Sequence, residues 1–344
     1  MNKTFRIVFF AAIVAFVLNL LFGRILAAKV STWPFLNRLK ILSPQAPIVI
    51  NQREEIRITE NGQLDEAVSA AKSKISAVYL QEPNGNIKFM GPAVNLTSEG
   101  EFVAFKEVFS GRGDYFVFLE GGRNASVGSV VSDPASGLIF FRAGLESVPV
   151  AALADSKSLF SGEKVFVFSN NFGSAWQGWA SYLTRTENER GEKVFTAGLS
   201  QRSFELANQS DQEKGKIILN SRGEVVGIAA GKEVVPSDVL KSAMVKYLNN
   251  KEKIVASDYD FAYTEVYGPK AAILKTSSGS LVVSSTNPAL KVGDVIVSAG
   301  GLKLGGAVFL EEILEKYEIG QEVSLGLVRA GQNIDVKIKG KELR

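Results

Sequence analysis

The sequence predicts a mainly β protein that begins with one apolar helix and ends in a smaller unit of mixed α and β structure. Three observations support this fold class. Short β-type runs separated by Gly, Asn, Ser and Asp follow one another from residue 87 to residue 230. A nearly continuous apolar run precedes them near the N-terminus. After a helical stretch at residues 236–253, the pattern restarts with new strands and an amphipathic segment.

The composition places the chain among folded globular proteins and excludes several chemistries. Of its 344 residues, 46% are hydrophobic and 22% are charged, and the length favours two or three domains. The net charge of +3 and the lack of a dense basic stripe argue against a nucleic-acid partner. Because the chain has no histidine and no cysteine, it offers no imidazole base, thiol nucleophile or disulfide. We therefore expect no metal and no cofactor.

The apolar run at residues 7–28 is long enough to cross a bilayer, which takes about 20 residues. Residues 1–28 are therefore predicted as a retained, single-pass membrane anchor with the bulk of the chain on the extracytoplasmic side. A cleaved signal peptide, for which no clean small-x-small site is evident, and a buried core helix remain as alternatives. Basic residues flank the run on both sides, so charge alone does not fix the orientation. The proline-containing residues 29–60 are predicted as a juxtamembrane linker.

The predicted strands are short and regularly spaced, which is typical of an all-β barrel or sandwich. They cover residues 87–90, 93–96, 101–105, 115–119, 126–132, 137–142, 164–169, 179–183, 193–199, 216–220 and 224–230. The C-terminal unit adds a strand at 281–285, an amphipathic helix at 308–318, and a hairpin at 322–339 that turns at Ala330-Gly331.

The stretch Leu290 to Val297, LKVGDVIV, with its following Gly-Gly pair, helix and hairpin, resembles a PDZ domain of the bacterial membrane-protease type. The resemblance implies a PDZ domain over residues 251–344 that binds peptide C-termini or unfolded proteins by strand addition. In this comparison Ala262 stands where the family prefers glycine. The alternative to a binding role is that the apolar side chains of the helix simply fill the core of this small domain. The implied peptide-binding residues are Asp260, Phe261, Ala262 and Tyr263 in the carboxylate loop and Val308, Leu310, Ile313 and Leu314 on the groove helix.

Farther upstream, residues 91–103, 132–139 and 154–173 resemble the trypsin-like protease domain of the HtrA family. That family commonly joins such a domain to an N-terminal anchor and a C-terminal PDZ domain. Two more stretches, 209–211 and 218–228, bracket the place of the family's catalytic serine. The resemblance implies a double β-barrel over residues 61–250 and a possible homotrimer.

Counting along these stretches puts Glu107 at the family's histidine position, Gly137 at its aspartate position and Lys214 at its serine position. A Ser-His-Asp relay needs a base, a hydroxyl and an orienting carboxylate, which these residues do not supply. The sequence thus predicts a pseudoprotease, not an enzyme, that binds peptides or unfolded proteins as a scaffold, a chaperone or a regulator of a partner protease. The alternatives are an active serine-type endopeptidase of envelope quality control, including a Ser210–Lys214 dyad, and a structural envelope protein.

Overall fold

Two closed β-barrels, one seven-stranded sheet and one two-stranded sheet make up the fold of this computed structural model. The structure describes residues 9–16, 18, 60–155, 158–169, 177–185, 193–199, 202–207, 214–305 and 308–343. Residues 58–344 form one compact unit, which contains both barrels and both sheets.

The first barrel closes from six antiparallel strands in the order β1-β2-β3-β6-β5-β4. These strands are β1 (Ile75–Gln81), β2 (Ile87–Asn95), β3 (Glu101–Phe105), β4 (Asp114–Phe118), β5 (Asn124–Ser132) and β6 (Leu138–Ala143). Strand β3 is buried along its whole length, including Glu101. The Glu101 carboxylate accepts hydrogen bonds from the Tyr247 hydroxyl and, at 2.6 Å, from Lys251 Nζ, so this buried charge is paired.

The second barrel closes in the order β10-β13-β12-β11-β7-β8. Its strands are β7 (Lys164–Ser169), β8 (Gln177–Arg185), β10 (Phe204–Leu206), β11 (Ile217–Leu219), β12 (Val225–Ala229) and β13 (Glu233–Pro236). The prediction of a mainly β, trypsin-like double barrel is therefore confirmed. The short strands β10 and β13 were not predicted, because three or four residues carry too little alternation to be recognised.

One continuous hydrophobic core joins the two barrels. Phe105 of β3 and Phe140 of β6 belong to the same buried cluster as Phe166 and Phe168 of β7. The flanking helices Glu60–Ala71 and Ser237–Asn249 contribute further side chains to this cluster. Burying a phenylalanine side chain contributes about 1.5–3 kcal/mol, so this junction is a strongly stabilised part of the fold.

The remaining sheet has seven strands in the order β20-β19-β17-β16-β15-β9, with β18 paired to β17. Its strands are β9 (Val194–Thr196), β15 (Phe261–Val266), β16 (Gly279–Ser285), β17 (Val295–Ala299), β18 (Leu302–Lys303), β19 (Glu322–Arg329) and β20 (Gln332–Lys339). Strands β14 (Ser257–Asp258) and β21 (Lys341–Glu342) pair separately, and two short helices cover Gly268–Ile273 and Leu310–Leu314.

Two predicted elements differ from the structure. Residues 193–199 were grouped with the barrel strands, but β9 pairs with β15 of the C-terminal sheet. The predicted helix at 308–318 is confined to Leu310–Leu314, hereafter the groove helix. It ends early because the amides of Lys316 and Tyr317 donate to carbonyls three residues back, which tightens the last turn.

The predicted membrane anchor lies largely outside the described residues. Residues 9–16 and 18 are helical and exposed, and the other residues of the 7–28 run are not described. Of the linker at 29–60, only residue 60 is described. In the part of the chain that the structure describes, no helix combines the length and apolar character needed to cross a membrane.

The Gly-Asp turn of the LKVGDVIV stretch is fixed by a buried ion pair. Asp294 is 1% exposed, and its carboxylate accepts two hydrogen bonds of 2.7 Å from the Arg329 guanidinium. A third bond comes from the Lys291 amide at 2.8 Å. Burial opposes ionisation, but these bonds outweigh it, and the pKa of Asp294 lies below its ordinary value. The turn is thereby fastened to the C-terminal hairpin.

Replacing Asp294 with asparagine should lower the free energy of unfolding by about 1.5–3 kcal/mol at neutral pH, since Arg329 loses a charged partner. A lowered carboxyl pKa stabilises the folded state above the unfolded pKa of about 3.9. The advantage of the native protein over Asp294→Asn should therefore vanish as the pH falls through the folded pKa. Urea unfolding between pH 3 and pH 7 measures this difference. The exposed Asp335 on the same hairpin provides a control, and an equal loss in Asp335→Asn would contradict the assignment.

Candidate functional site

The first candidate site lies where the two barrels meet. Glu107 sits in the 3-10 turn Lys106–Phe109, directly after β3. Lys214 lies just before β11, and its Nζ is 3.8 Å from Glu107 Oε1. A Cβ added to the neighbouring Gly215 would lie 3.7 Å from Val108 Cγ2, so the two chain segments pack closely. The fold thus brings together two positions that are far apart in sequence.

Gly137 lies beside the same turn. Its carbonyl accepts a hydrogen bond of 3.0 Å from the Lys106 amide, next to Glu107. Its φ of +72° belongs to the left-handed region, and a Cβ there would stand 3.3 Å from the Phe105 ring. The three positions implied by the HtrA resemblance are therefore neighbours at the barrel junction.

The nearby buried acid, Asp133, stabilises its own turn. It is 2% exposed, and its carboxylate accepts hydrogen bonds from the Ala135 amide at 3.1 Å and the Ser136 hydroxyl at 2.5 Å. An aspartate that accepts bonds from the residues following it is a common turn device. This geometry gives Asp133 a structural part beside Gly137.

At the junction one acidic and one basic side chain, Glu107 and Lys214, lie close together. The side chains of Glu107 and Lys214 are 39% and 41% exposed, and Glu107 Oε2 has no hydrogen-bond partner among the described residues. Ser210, the hydroxyl of the alternative dyad, lies outside the described residues. Since the chain has no histidine, hydrolysis at this junction would have to use a base other than imidazole.

The Glu107–Lys214 pair should contribute little to stability. Both groups are half in water, where exposed ion pairs are worth about 0–1 kcal/mol. A double-mutant cycle of Glu107→Gln and Lys214→Met, measured by urea unfolding, should give a coupling energy below about 1 kcal/mol. A coupling well above that value would show that the pair is shielded from solvent.

The second candidate site is the groove, defined here as the outer edge of β15 together with Val308 and the groove helix. Leu310, Ile313 and Leu314 are buried in one cluster with Tyr263 of β15. Val308 is 36% exposed and lies outside the helix, because it bridges to Gly305. The apolar side chains of the groove helix therefore do fill a small core, as the alternative interpretation expected.

The predicted carboxylate loop is shaped differently from the sequence-based expectation. Ala262 lies within β15, and the left-handed residue is Asp260, with a φ of +63°. The Asp260 carbonyl accepts the Thr286 amide at 2.9 Å, and its carboxylate pairs with Lys341 Nζ at 2.6 Å. The Asp260 side chain thus helps to hold the turn, and its negatively charged carboxylate lies next to the start of β15.

The outer edge of β15 is covered by β9. Ala262 faces Thr196, Tyr263 faces Phe195 and Thr264 faces Val194 in antiparallel register. Phe195 is 2% exposed, and its ring stacks on Tyr263 with centroids 5.5 Å apart. The alternation of exposed Val194 with buried Phe195 indicates a strand, but no local pattern tells which sheet the strand joins.

Arg202 links the same segment to the groove helix. Its side chain is 5% exposed and faces two carboxylates of that helix and one directly after it. The contacts run from Nε to Glu311 at 3.7 Å, from one terminal nitrogen to Glu312 at 3.4 Å and from the other to Glu315 at 3.3 Å. Neither Phe195 nor Arg202 was indicated as a site residue by the sequence, because their partners lie more than sixty positions away.

No family model matches the chain. It is 24% identical over 273 residues to "Serine protease Do-like HtrA" of Lactobacillus helveticus, which is 70% of this chain and 65% of that protein. It is 25% identical over 250 residues to "Periplasmic serine endoprotease DegP" of Salmonella typhimurium, which is 65% of this chain and 50% of that protein. The chain thus spans half to just under two thirds of these relatives.

Solved structures share the fold. The HtrA-type protease AlgW with a tripeptide has a TM-score of 0.60 at 18% identity, covering 81% of this chain and 97% of that one. AlgW with a decapeptide has a TM-score of 0.58 at 17% identity, covering 81% and 98%. Both likenesses support the trypsin-like double barrel.

The prediction that this chain is not an enzyme is wrong on these findings. The relatives that match it are named serine proteases. The prediction deduced lost activity from the residue types at Glu107, Gly137 and Lys214 and from the absence of histidine. Residues 208–213, which lead to the nucleophile position, lie outside the described residues.

Proposed function

Because this chain is a homologue of the HtrA/DegP proteins, we propose that it binds extended peptide segments of extracytoplasmic proteins at the groove, with residues 251–344 acting as a PDZ-type domain. Two of its matches support this environment and ligand by name: DegP is called periplasmic, and AlgW carries a bound peptide. Unfolded proteins and peptide C-termini are the proposed partners. Assembly as a homotrimer or with a partner protease belongs to the same proposal.

The observation that carries the proposal is the antiparallel strand already seated on β15. An edge strand presents a row of unpaired amides and carbonyls, and an extended segment satisfies them. In this groove β9 does so with its Phe195 ring buried against Tyr263. The edge and the cluster beneath it are therefore shaped for an extended chain with an aromatic anchor.

The role proposed for each predicted residue follows from its place. Ala262 and Tyr263 supply backbone groups to an added strand, and Phe261 and Tyr263 form its apolar bed with Leu310, Ile313 and Leu314. Val308, at the entrance to the groove helix, offers an exposed apolar contact. Asp260 presents a carboxylate, paired with Lys341, where a peptide C-terminus would arrive, which favours internal segments over free C-termini.

A second candidate function is serine-type peptide hydrolysis at the barrel junction. It is favoured by the names of the relatives and by the convergence of Glu107 and Lys214 there. Incubating the full chain with unfolded casein and a fluorophosphonate probe tests it. Cleavage and labelling that both disappear in Lys214→Met would support hydrolysis there, and activity unaltered by that change would exclude this lysine.

Peptide binding is tested by screening the full chain against fluorescent libraries of internal and C-terminal peptides. We expect binders with a central aromatic residue, and we expect slower hydrogen exchange in residues 261–266 and 310–314 when they bind. The absence of any binder, with circular dichroism showing an intact β fold, would overturn the proposal. Binding that protects another surface would move the site elsewhere.

A further inference from the structure

The β15 edge that a peptide would use is occupied by the chain's own strand β9. We propose that residues 193–199 are a built-in competitor, so that peptides bind the groove only after β9 leaves it. This inference rests on the proposed function and adds its regulation. The groove is thereby closed in the structure, and its ligand must be an extended segment that outcompetes an attached one.

The contacts of β9 are those expected of a bound peptide. Its register with β15 is antiparallel, and the Ala197 amide donates to the Phe261 carbonyl at 2.9 Å. Phe195 is the buried anchor, whereas Val194 is 54% exposed and points away from the cluster. Only three residues of β9 pair with β15, so the hydrogen-bonded ladder between the two strands is short. An edge strand of this length is displaced more easily than a central one.

The chain continues through the groove instead of ending there. Gly198 approaches the Ser257 backbone so closely that a Cβ would lie 1.8 Å from its carbonyl oxygen, and its φ of +96° suits glycine. The Leu199 amide then turns back to the Thr196 carbonyl at 3.2 Å. The strand β9 therefore runs through the groove as an internal segment of the chain, which is the kind of ligand that the Asp260 carboxylate favours over a free C-terminus.

Both ends of this segment are fastened. Before β9, Lys193 Nζ bonds Glu233 of β13 at 2.8 Å and Ser203 at 3.3 Å. After it, Arg202 contacts Glu311 and Glu312 of the groove helix and Glu315 directly after that helix. In the chain, β9 lies between β8 and β10, which are neighbouring strands of the second barrel, and displacing β9 would disturb the Lys193 contact to Glu233 of β13 in that barrel. Groove occupancy is thus connected to the second barrel through this contact.

A reversible disulfide tests the competition. The chain has no cysteine, so Thr196→Cys with Ala262→Cys introduces a single pair at two directly opposed positions. The probe is a fluorescent peptide with the sequence of residues 192–199, EKVFTAGL, added to the full chain in mild detergent. We expect the reduced protein to bind it at least tenfold more tightly than the oxidised protein, and dithiothreitol to restore binding.

Three comparisons make the result specific. The single change Phe195→Ala removes the resident anchor and should also raise probe affinity at least tenfold over the native chain, whereas Val194→Ala should not. A probe with alanine in place of phenylalanine should bind neither form. A second disulfide, Ser324→Cys with Lys337→Cys at the far edge of the sheet, should leave affinity unchanged on oxidation.

The outcomes separate this inference from the proposed function. Equal probe binding in the reduced and oxidised forms would overturn the competition while leaving peptide binding in place. No binding in the reduced form or in Phe195→Ala, with both folded by circular dichroism, would overturn the proposed function and with it the competition. Tight binding that depends on the redox state in the expected direction supports both.

Discussion

Replacing Arg202 with methionine is expected to lower the free energy of unfolding by about 3–5 kcal/mol, the usual cost of removing one partner of a buried ion pair. The Arg202 side chain is 5% exposed, and those of Glu311 and Glu315 are 0% and 8% exposed. Without the guanidinium, two buried carboxylates and the nearby Glu312 repel one another in a poorly hydrated place. Urea unfolding followed by circular dichroism measures the loss.

Two further substitutions identify the cause. Arg202→Lys keeps the charge but loses the planar fork that reaches three carboxylates, so an intermediate loss is expected. Lys337→Met removes an exposed partner of Glu322, at 3.3 Å, and should leave the free energy of unfolding almost unchanged. If Arg202→Met costs as little as Lys337→Met, the three contacts are not shielded and the groove helix does not depend on them.

The barrels could be predicted from the sequence because their signal is local. The run at residues 164–169 becomes β7 with no shift, and the run at 101–105 becomes β3. Continuous apolar runs of this kind identify strands that are buried on both faces. The hairpin predicted to turn at Ala330-Gly331 is also found, and both turn residues adopt the positive φ that a tight two-residue turn requires.

Strand pairing over long sequence distances could not be predicted. Phe195 and Tyr263 meet only because the chain returns after a whole sequence of barrel strands and a helix. The sequence of a three-residue strand does not indicate its pairing partner, and alternation with a period of two fits the barrel and the C-terminal sheet equally well. The groove was therefore predicted from Asp260 to Leu314 without the strand that fills it.

At the barrel junction, too, the sequence predicted where the residues lie but not what they do chemically. Counting along the sequence located Glu107, Gly137 and Lys214, and the structure makes them neighbours. Their residue types did not decide the activity, since the conclusion drawn from them is contradicted by the relatives. Location follows from chain spacing, whereas reactivity depends on all groups that face the site, including those of residues 208–213.

Gly198→Ala is expected to lower the free energy of unfolding by about 2–5 kcal/mol. A left-handed conformation costs a non-glycine residue about 1–2 kcal/mol, and overpacking adds about 1–3 kcal/mol. Both costs apply here, because φ is +96° and the new Cβ would lie 1.8 Å from the Ser257 carbonyl oxygen. Urea unfolding of the variant and the native chain gives the difference.

Gly331→Ala is the matched control for this change. Gly331 also has a positive φ, +81°, but a Cβ there would meet nothing within 4 Å. Only the conformational cost of about 1–2 kcal/mol applies to it, so the excess loss in Gly198→Ala measures the close backbone contact. Equal losses in the two variants would mean that the chain around Gly198 moves aside freely. The close contact at Gly198 holds the end of β9 beside β15. Gly198→Ala should therefore also bind the EKVFTAGL probe more tightly than Gly331→Ala, because a destabilised β9 leaves the groove more accessible.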